Sequence, residues 1–231
     1  MKNVTGYDQS KLLAGSFGTL GVLTEVALKV LPSAETSATI VLPGLSDVDA
    51  VSVMTAGLCS PHDVSGAAHF AGSDARTVIR LEGFENSVSY RVRELSKTLS
   101  GFGDVQIVDQ EHSKTIWNEI RDVIPFHQAA GDVWRISVKP SDGPGIAAKL
   151  NANALIYDWG GGLVWALMDS STDVRERIGN FDGHASLIRA SEETRKTIPA
   201  FQPQSKSLAR ISAEIRKKYD PRGILNPGLM G

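Results

Sequence analysis

The sequence predicts an α+β protein made of two successive βαββαβ units whose antiparallel sheets carry helices on one face. Three observations predict it. Short apolar runs bounded by glycine and proline recur at strand length. Between them lie segments with apolar residues at helical spacing, Val88, Val92, Leu95 and Leu99 being the clearest. The order strand, helix, strand, strand, helix, strand is met twice along the chain.

The opening segment stands apart from that pattern. Gly15, Gly18 and Gly21 fall at every third position, and glycine there lets a loop turn tightly and aim N–H groups at an anion. The spacing equally fits a plain tight turn. Val26, Leu28 and Val30 then alternate with Glu25, Ala27 and Lys29, which predicts a strand over 22–31. Pro32 closes it and 33–36 read as a linker. In the first unit, 37–43 is a strand. Residues 47–58 form a helix capped by Ser46 or Asp47, with Val48, Val51 and Met54 turned to the core. Strands 66–71 and 77–84 are joined by the turn Gly72-Ser73-Asp74, followed by a helix over 85–100 and a strand over 105–108. A bridging helix, 112–123, ends near Pro125. The second unit runs through strand 133–138, helix 144–152, strands 155–159 and 163–168, helix 173–179 and strand 185–188. Residues 191–205 read as a loop or short irregular helix. A helix over 206–219 stops at Asp220-Pro221, because proline disfavours helix in the residue before it. Two βαββαβ units in tandem amount to a duplicated ferredoxin-like arrangement.

Composition narrows the functional classes. The 231 residues, 42% hydrophobic and 22% charged, suffice to bury a substantial core. A net charge of −2 argues against nucleic acid as a partner. Cys59 is the single cysteine, which excludes an intrachain disulfide and a thiolate metal cluster and fits a cytoplasmic setting. Neither a signal peptide nor an apolar run of membrane-spanning length is expected.

The wording of both ends is more specific than their composition. TGYD, GSFGTLG and LTEVALKVLP at the start, with YDPRGILNPG at the end, resemble FAD-binding oxidoreductases of the vanillyl-alcohol oxidase type. Trp134-Arg135-Ile136-Ser137, Asp158-Trp159-Gly160-Gly161 and Gly183-His184-Ala185-Ser186-Leu187 are similar to the smaller FAD-binding subunits of bacterial glycolate oxidases. The resemblance implies that 1–32 is the C-terminal remnant of an FAD-binding domain and 33–231 the substrate (cap) domain of an FAD-linked oxidase. It implies oxidation of glycolate to glyoxylate with flavin as electron acceptor. The implied partners are a second flavin subunit and an iron–sulfur subunit, which would hold the protein at the periphery of the inner membrane. Gly15, Ser16, Gly18, Thr19, Gly21 and Asn226 are the implied cofactor-binding residues. With most of a flavin domain lacking, FAD is expected to bind this chain weakly or not at all. The alternative reading is a binding or assembly subunit of the complex that does no chemistry. A third expectation is that Met1 lies inside a longer protein.

Oxidising a 2-hydroxy acid needs a cation for its carboxylate and a base for its hydroxyl proton. Arg135 and Arg189, on strands of the second unit, are candidates for the first role and His184 for the second. Each also has a plain reading, the arginines pointing to solvent and the histidine hydrogen-bonded for structure. Trp134, Trp159 and Trp165 are read either as walls for a flavin or as core aromatics, and Asp158 as part of a turn. The resembling enzymes often carry a histidine-and-glutamate metal site in a GEHG-like phrase. Gly183-His184-Ala185-Ser186 lacks that glutamate, and no HxH or HxxxH pair occurs, so no metal is expected. Between Arg189 and Arg222, nine basic residues face four acidic ones, either a solvated surface or a face for an acidic partner subunit or the cofactor diphosphate. The apolar strand over 22–31 is further expected to dock on the C-terminal tail or to pair with a second copy as a homo-oligomer.

Overall fold

Residues 8–229 are described by a computed structural model. They divide into two units, one of residues up to Leu31 together with those from Pro199 onward, the other Pro32–Ile198. The first unit begins with α1 (Gln9–Leu13), where the Asp8 side chain accepts the Lys11 N–H.

The larger unit contains both βαββαβ repeats. The first is β1 (Thr36–Pro43), α2 (Asp47–Leu58), β2 (Gly66–Phe70), β3 (Arg76–Gly83), α3 (Glu85–Leu99) and β4 (Gln106–Val108). The bridging helix α4 (Gln110–Asp122) leads to β5 (Asp132–Val138), α5 (Gly143–Leu150), β6 (Ala154–Asp158), β7 (Leu163–Met168), α6 (Val174–Ile178) and β8 (Gly183–Arg189). A short α7 (Glu192–Thr197) follows, capped by Ser191. Local chemistry sets these limits. Ser46 caps α2 by accepting the Asp49 N–H, and Asp109 caps α4 by accepting that of His112. Val123, at φ 53°, takes the left-handed conformation that ends α4.

All eight strands join one antiparallel sheet in the order β4-β1-β3-β2-β6-β7-β5-β8. Each repeat therefore keeps the ferredoxin-like strand order, and the two meet edge to edge at β2 and β6. The seam is short, with His69 paired to Tyr157 and Phe70 to Ile156. One face is covered by α2, α3, α5 and α6 over Ile40, Leu42, Ile79, Leu81, Trp134, Ile136 and Val164. The expectation of helices on one face holds for the repeats but not for α4, which lies on the opposite face. There Trp117 and Ile120 pack on Val41, Ala68, Val78 and Ile156. Burying an isoleucine such as Ile120 contributes about 1.5–3 kcal/mol. Trp117 Nε1 also donates to Thr39 Oγ1 at 2.9 Å, and that hydroxyl bonds Ser113 Oγ at 2.7 Å. These two buried contacts fix α4 to β1.

Two further expectations are corrected. Val48 is 63% exposed, and α2 buries Ala50, Val51, Val53, Met54 and Gly57 instead. The helix is apolar nearly all round, so its sequence did not mark the buried face. Residues 22–31 form no strand, and Val22, Val26, Leu28, Val30 and Leu31 are exposed. Alternation marks a face, but a strand also needs a partner for its backbone groups, and among the described residues this segment has none.

The smaller unit ends with α8 (Lys206–Tyr219) and a tight turn beyond it. In that turn the Asp220 carboxylate accepts the Leu225 N–H at 2.7 Å, and such backbone donors hold it below the usual aspartate range.

Candidate functional site

The α4 face of the sheet changes character along its length. Direct partners in an antiparallel sheet share a face, and residues two apart along a strand do too. From Val41↔Val78 and Thr39↔Arg80 on β1 and β3, the register carries this face to Gly66 and Ala68 on β2. On β6 and β7 it carries Ile156, Asp158, Leu163 and Trp165, and on β5 and β8 Arg135, Ser137, Ser186 and His184. The end under α4 is apolar. The other end is polar, and beside α4 it opens into a cleft of about 980 Å³. Arg80, Glu82, Lys114, Arg135, Asp158 and Trp165 are among its lining residues. Pockets of this size hold small-molecule ligands and cofactors.

The cations of the cleft differ in what they already hold. Arg80 pairs with Glu82 at 3.1 Å, donates to Ser65, and lies over the Trp117 ring at 4.6 Å. Arg121 is paired with Asp122. Arg135, half-buried, stacks its guanidinium 5.0 Å from the Trp159 ring centre and makes no hydrogen bond or ion pair among the described residues. Stacking fixes the plane of a guanidinium while leaving its N–H edge free for a carboxylate.

Asp158 is the one largely buried acid of the cleft. Its Oδ1 accepts the Trp159 N–H at 2.7 Å. Burial pushes its carboxyl above the ordinary carboxylate range, while that N–H and the charge of Arg80 pull the other way. The loop that follows is held in unusual backbone geometry, Trp159 at φ 53°, Gly160 at 67° and Gly161 at 103°. A side chain on Gly160 would meet Leu58 Cδ1 at 2.5 Å, and at φ 67° it would be strained even if Leu58 moved aside, so the position favours glycine. This backbone presents Trp159 to the cleft, with the residue 56% exposed.

Of the three residues assigned from sequence to catalysis, the structure brings Arg135 alone into the cleft. His184 is exposed on β8, on the same sheet face but outside the lining residues. Arg189 has a structural position. Its Nη groups donate to the carbonyl oxygens of Phe126, His127, Ala129 and Gly131, tying β8 to the loop after α4. Those bonds take the fork that a carboxylate would need. Of the three tryptophans, Trp134 is fully buried in the core, Trp165 lines the cleft and Trp159 stands at its rim. Sequence reasoning missed Arg80 and passed over Asp158, for which the signal was an acid at the end of a strand preceding a glycine run.

In the smaller unit the glycine loop and the C-terminal turn meet. Asn226 Nδ2 donates to the Phe17 carbonyl at 2.6 Å. A side chain on Gly18, at φ +72°, would meet that nitrogen at 2.9 Å. Ser16, Gly18, Gly21 and Asn226 line a hollow of about 410 Å³ with Leu13, Val22 and Leu225. Gly15 and Thr19 border a second hollow of about 180 Å³ with Ser16.

The chain is 37% identical over 232 residues to the glycolate oxidase subunit GlcE of Escherichia coli (strain K12). The alignment takes in the whole of this chain and 59% of that protein. No protein-family model matches the chain. Among the described residues no three histidine, cysteine or acidic side chains gather as metal ligands, and no helix is long and apolar enough to cross a membrane.

Proposed function

We propose that this chain is part of an FAD-linked glycolate oxidase subunit, acting in the oxidation of glycolate to glyoxylate. The observation that carries the reading is 37% identity to a glycolate oxidase subunit along the whole chain. The cleft agrees with it in chemistry. Arg135, its N–H edge uncommitted, takes the carboxylate of the 2-hydroxy acid, and the tryptophans beside it exclude water. The glycine loop fits part of a flavin dinucleotide. It has left-handed glycines, a close approach of Gly18 to the Asn226 side chain, and a hollow lined by Ser16, Gly18, Gly21 and Asn226. Bound there, FAD would supply the acceptor for the two electrons released by the alcohol. The remaining partners are a second flavin subunit and an iron–sulfur subunit, in a complex on the cytoplasmic side of the inner membrane.

A second reading is a binding or assembly subunit that performs no chemistry. It draws on the positions of His184 and Arg189, one outside the cleft and the other engaged with backbone carbonyls. A chimera in which this chain replaces the matching part of the E. coli subunit tests both readings. Glycolate-dependent dye reduction, lost on Arg135→Gln while the complex still assembles, supports the catalytic reading. Activity indifferent to Arg135→Gln supports the second, and a chimera that assembles without any activity refutes the first.

A further inference from the structure

We propose that Asp158 accepts the hydroxyl of the small 2-hydroxy carboxylate whose carboxylate Arg135 holds, and takes its proton during oxidation. This rests on reading the cleft as a 2-hydroxy acid site.

The sheet register sets the spacing. Asp158 faces Leu163 across β6 and β7, while Arg135 faces Trp165 across β5 and β7. The two therefore lie two strands apart, with β7 between them, and two residues out of line on the same face. Strand spacing and rise put their backbones about 12 Å apart. Side chains stand roughly perpendicular to a sheet, so Arg135 and Asp158 rise side by side from one face, and the gap between them takes a carboxylate and a neighbouring carbinol group. Trp165 stands on the strand between them and limits longer acids.

The carboxyl has one oxygen to offer. Oδ1 is engaged with the Trp159 N–H, and Oδ2 has no partner among the described residues. Burial raises the basicity of this carboxylate above that of an exposed aspartate. The charged groups that line the cleft with it are Arg80 and Glu82 from β3, Arg135 from β5, and Lys114 and Arg121 from α4, the last paired with Asp122. The step balances as follows. The O–H bond breaks and its proton passes to Asp158 Oδ2, the carbon–oxygen bond becomes double, and the C–H hydrogen leaves with its electron pair to the flavin of the complete enzyme.

Binding to the full chain, read by tryptophan fluorescence, tests this without turnover. The probes are glycolate and acetate, which differ by the hydroxyl. Glycolate should bind on the order of tenfold more tightly than acetate at neutral pH. Asp158→Asn keeps an oxygen for the Trp159 N–H but replaces the free acceptor, and should bring the ratio close to one. Arg135→Gln should weaken both ligands together and leave the ratio standing. Should the asparagine variant fail to fold, Asp158→Glu retains a carboxylate and should keep the preference. In the unaltered chain the preference should fade as pH drops through the raised Asp158 value. A ratio unchanged in Asp158→Asn, or flat with pH, overturns the role of Asp158 while leaving the cleft assignment intact. Failure of both ligands to bind overturns the two together.

Discussion

The seam between the two half-sheets is stapled by a buried polar chain, and cutting it should be costly. Tyr157 donates to Asp47 Oδ2 at 2.6 Å, and His69 Nε2 lies 3.4 Å from Asp47 Oδ1. His69 Nδ1 bonds Thr77 Oγ1 at 2.9 Å. Tyr157 and His69 are themselves the strand partners that join β6 to β2. One carboxylate at the start of α2 thus holds both sides of the seam. A hydrogen bond to a charged group contributes about 1.5–3 kcal/mol. In Tyr157→Phe the Asp47 side chain, 33% exposed, regains water, so the loss should be about 1.5 kcal/mol. Asp47→Ala strands the Tyr157 hydroxyl inside the protein and removes the carboxylate 3.4 Å from His69 Nε2, and should cost about 2–3 kcal/mol. The double variant should cost less than the sum, by about the value of the shared bond. Urea unfolding at neutral pH measures all three. The acid side has a definite sign. The His69 and Tyr157 bonds hold the Asp47 carboxyl below its ordinary value, so its contribution is present above that value and lost as pH falls through the folded one. The gap between wild type and Asp47→Ala should therefore narrow in acid. On the alkaline side, burial pushes the Tyr157 hydroxyl up, so stability should decline above about pH 10, where the unfolded tyrosine ionises. Additive single variants, or Tyr157→Phe indistinguishable from wild type, would refute the staple.

Arg189→Met should lower stability by about 2–4 kcal/mol, because four backbone carbonyls lose their donor, and thermal melts would register it. An unchanged melting temperature would return Arg189 to the list of candidate ligands. Deleting residues 1–32 should leave the two βαββαβ repeats folded by circular dichroism and shift any dimer to monomer in light scattering. Loss of the fold would place that segment in the core. The purified chain should bind FAD weakly or not at all, since one glycine loop and a hollow of about 410 Å³ contact only part of a dinucleotide. A stoichiometric flavin spectrum would contradict this.

The element order was legible in the sequence because each element carries its own punctuation. Alternating or short apolar runs end at Gly72, Pro43 and Gly101, and Val88, Val92, Leu95 and Leu99 mark one side of α3. Local signals of that kind need no knowledge of neighbours. The meeting of glycine loop and C-terminal tail was legible through wording at both ends of the chain, and the Asn226–Phe17 bond follows it. Other features depended on partners distant in sequence. Arg135 and Arg189 are both arginines on strands of the second repeat, yet one stacks on Trp159 and the other satisfies carbonyls after α4. Only the packing of that loop separates them. Residues 22–31 carry a strand's alternation without a strand's partner. Arg80, Arg135 and Asp158 lie 78 positions apart at their extremes in the chain, and register alone sets them on one face of one sheet. The sequence by itself determined the repeats, their helices and the residue types available for chemistry. The tertiary structure decided the fusion of two sheets at β2 and β6, the placing of α4 and the charged cleft beside it. Those outcomes rest on cross-strand pairing and burial, which are properties of residues brought together and not of neighbours along the chain.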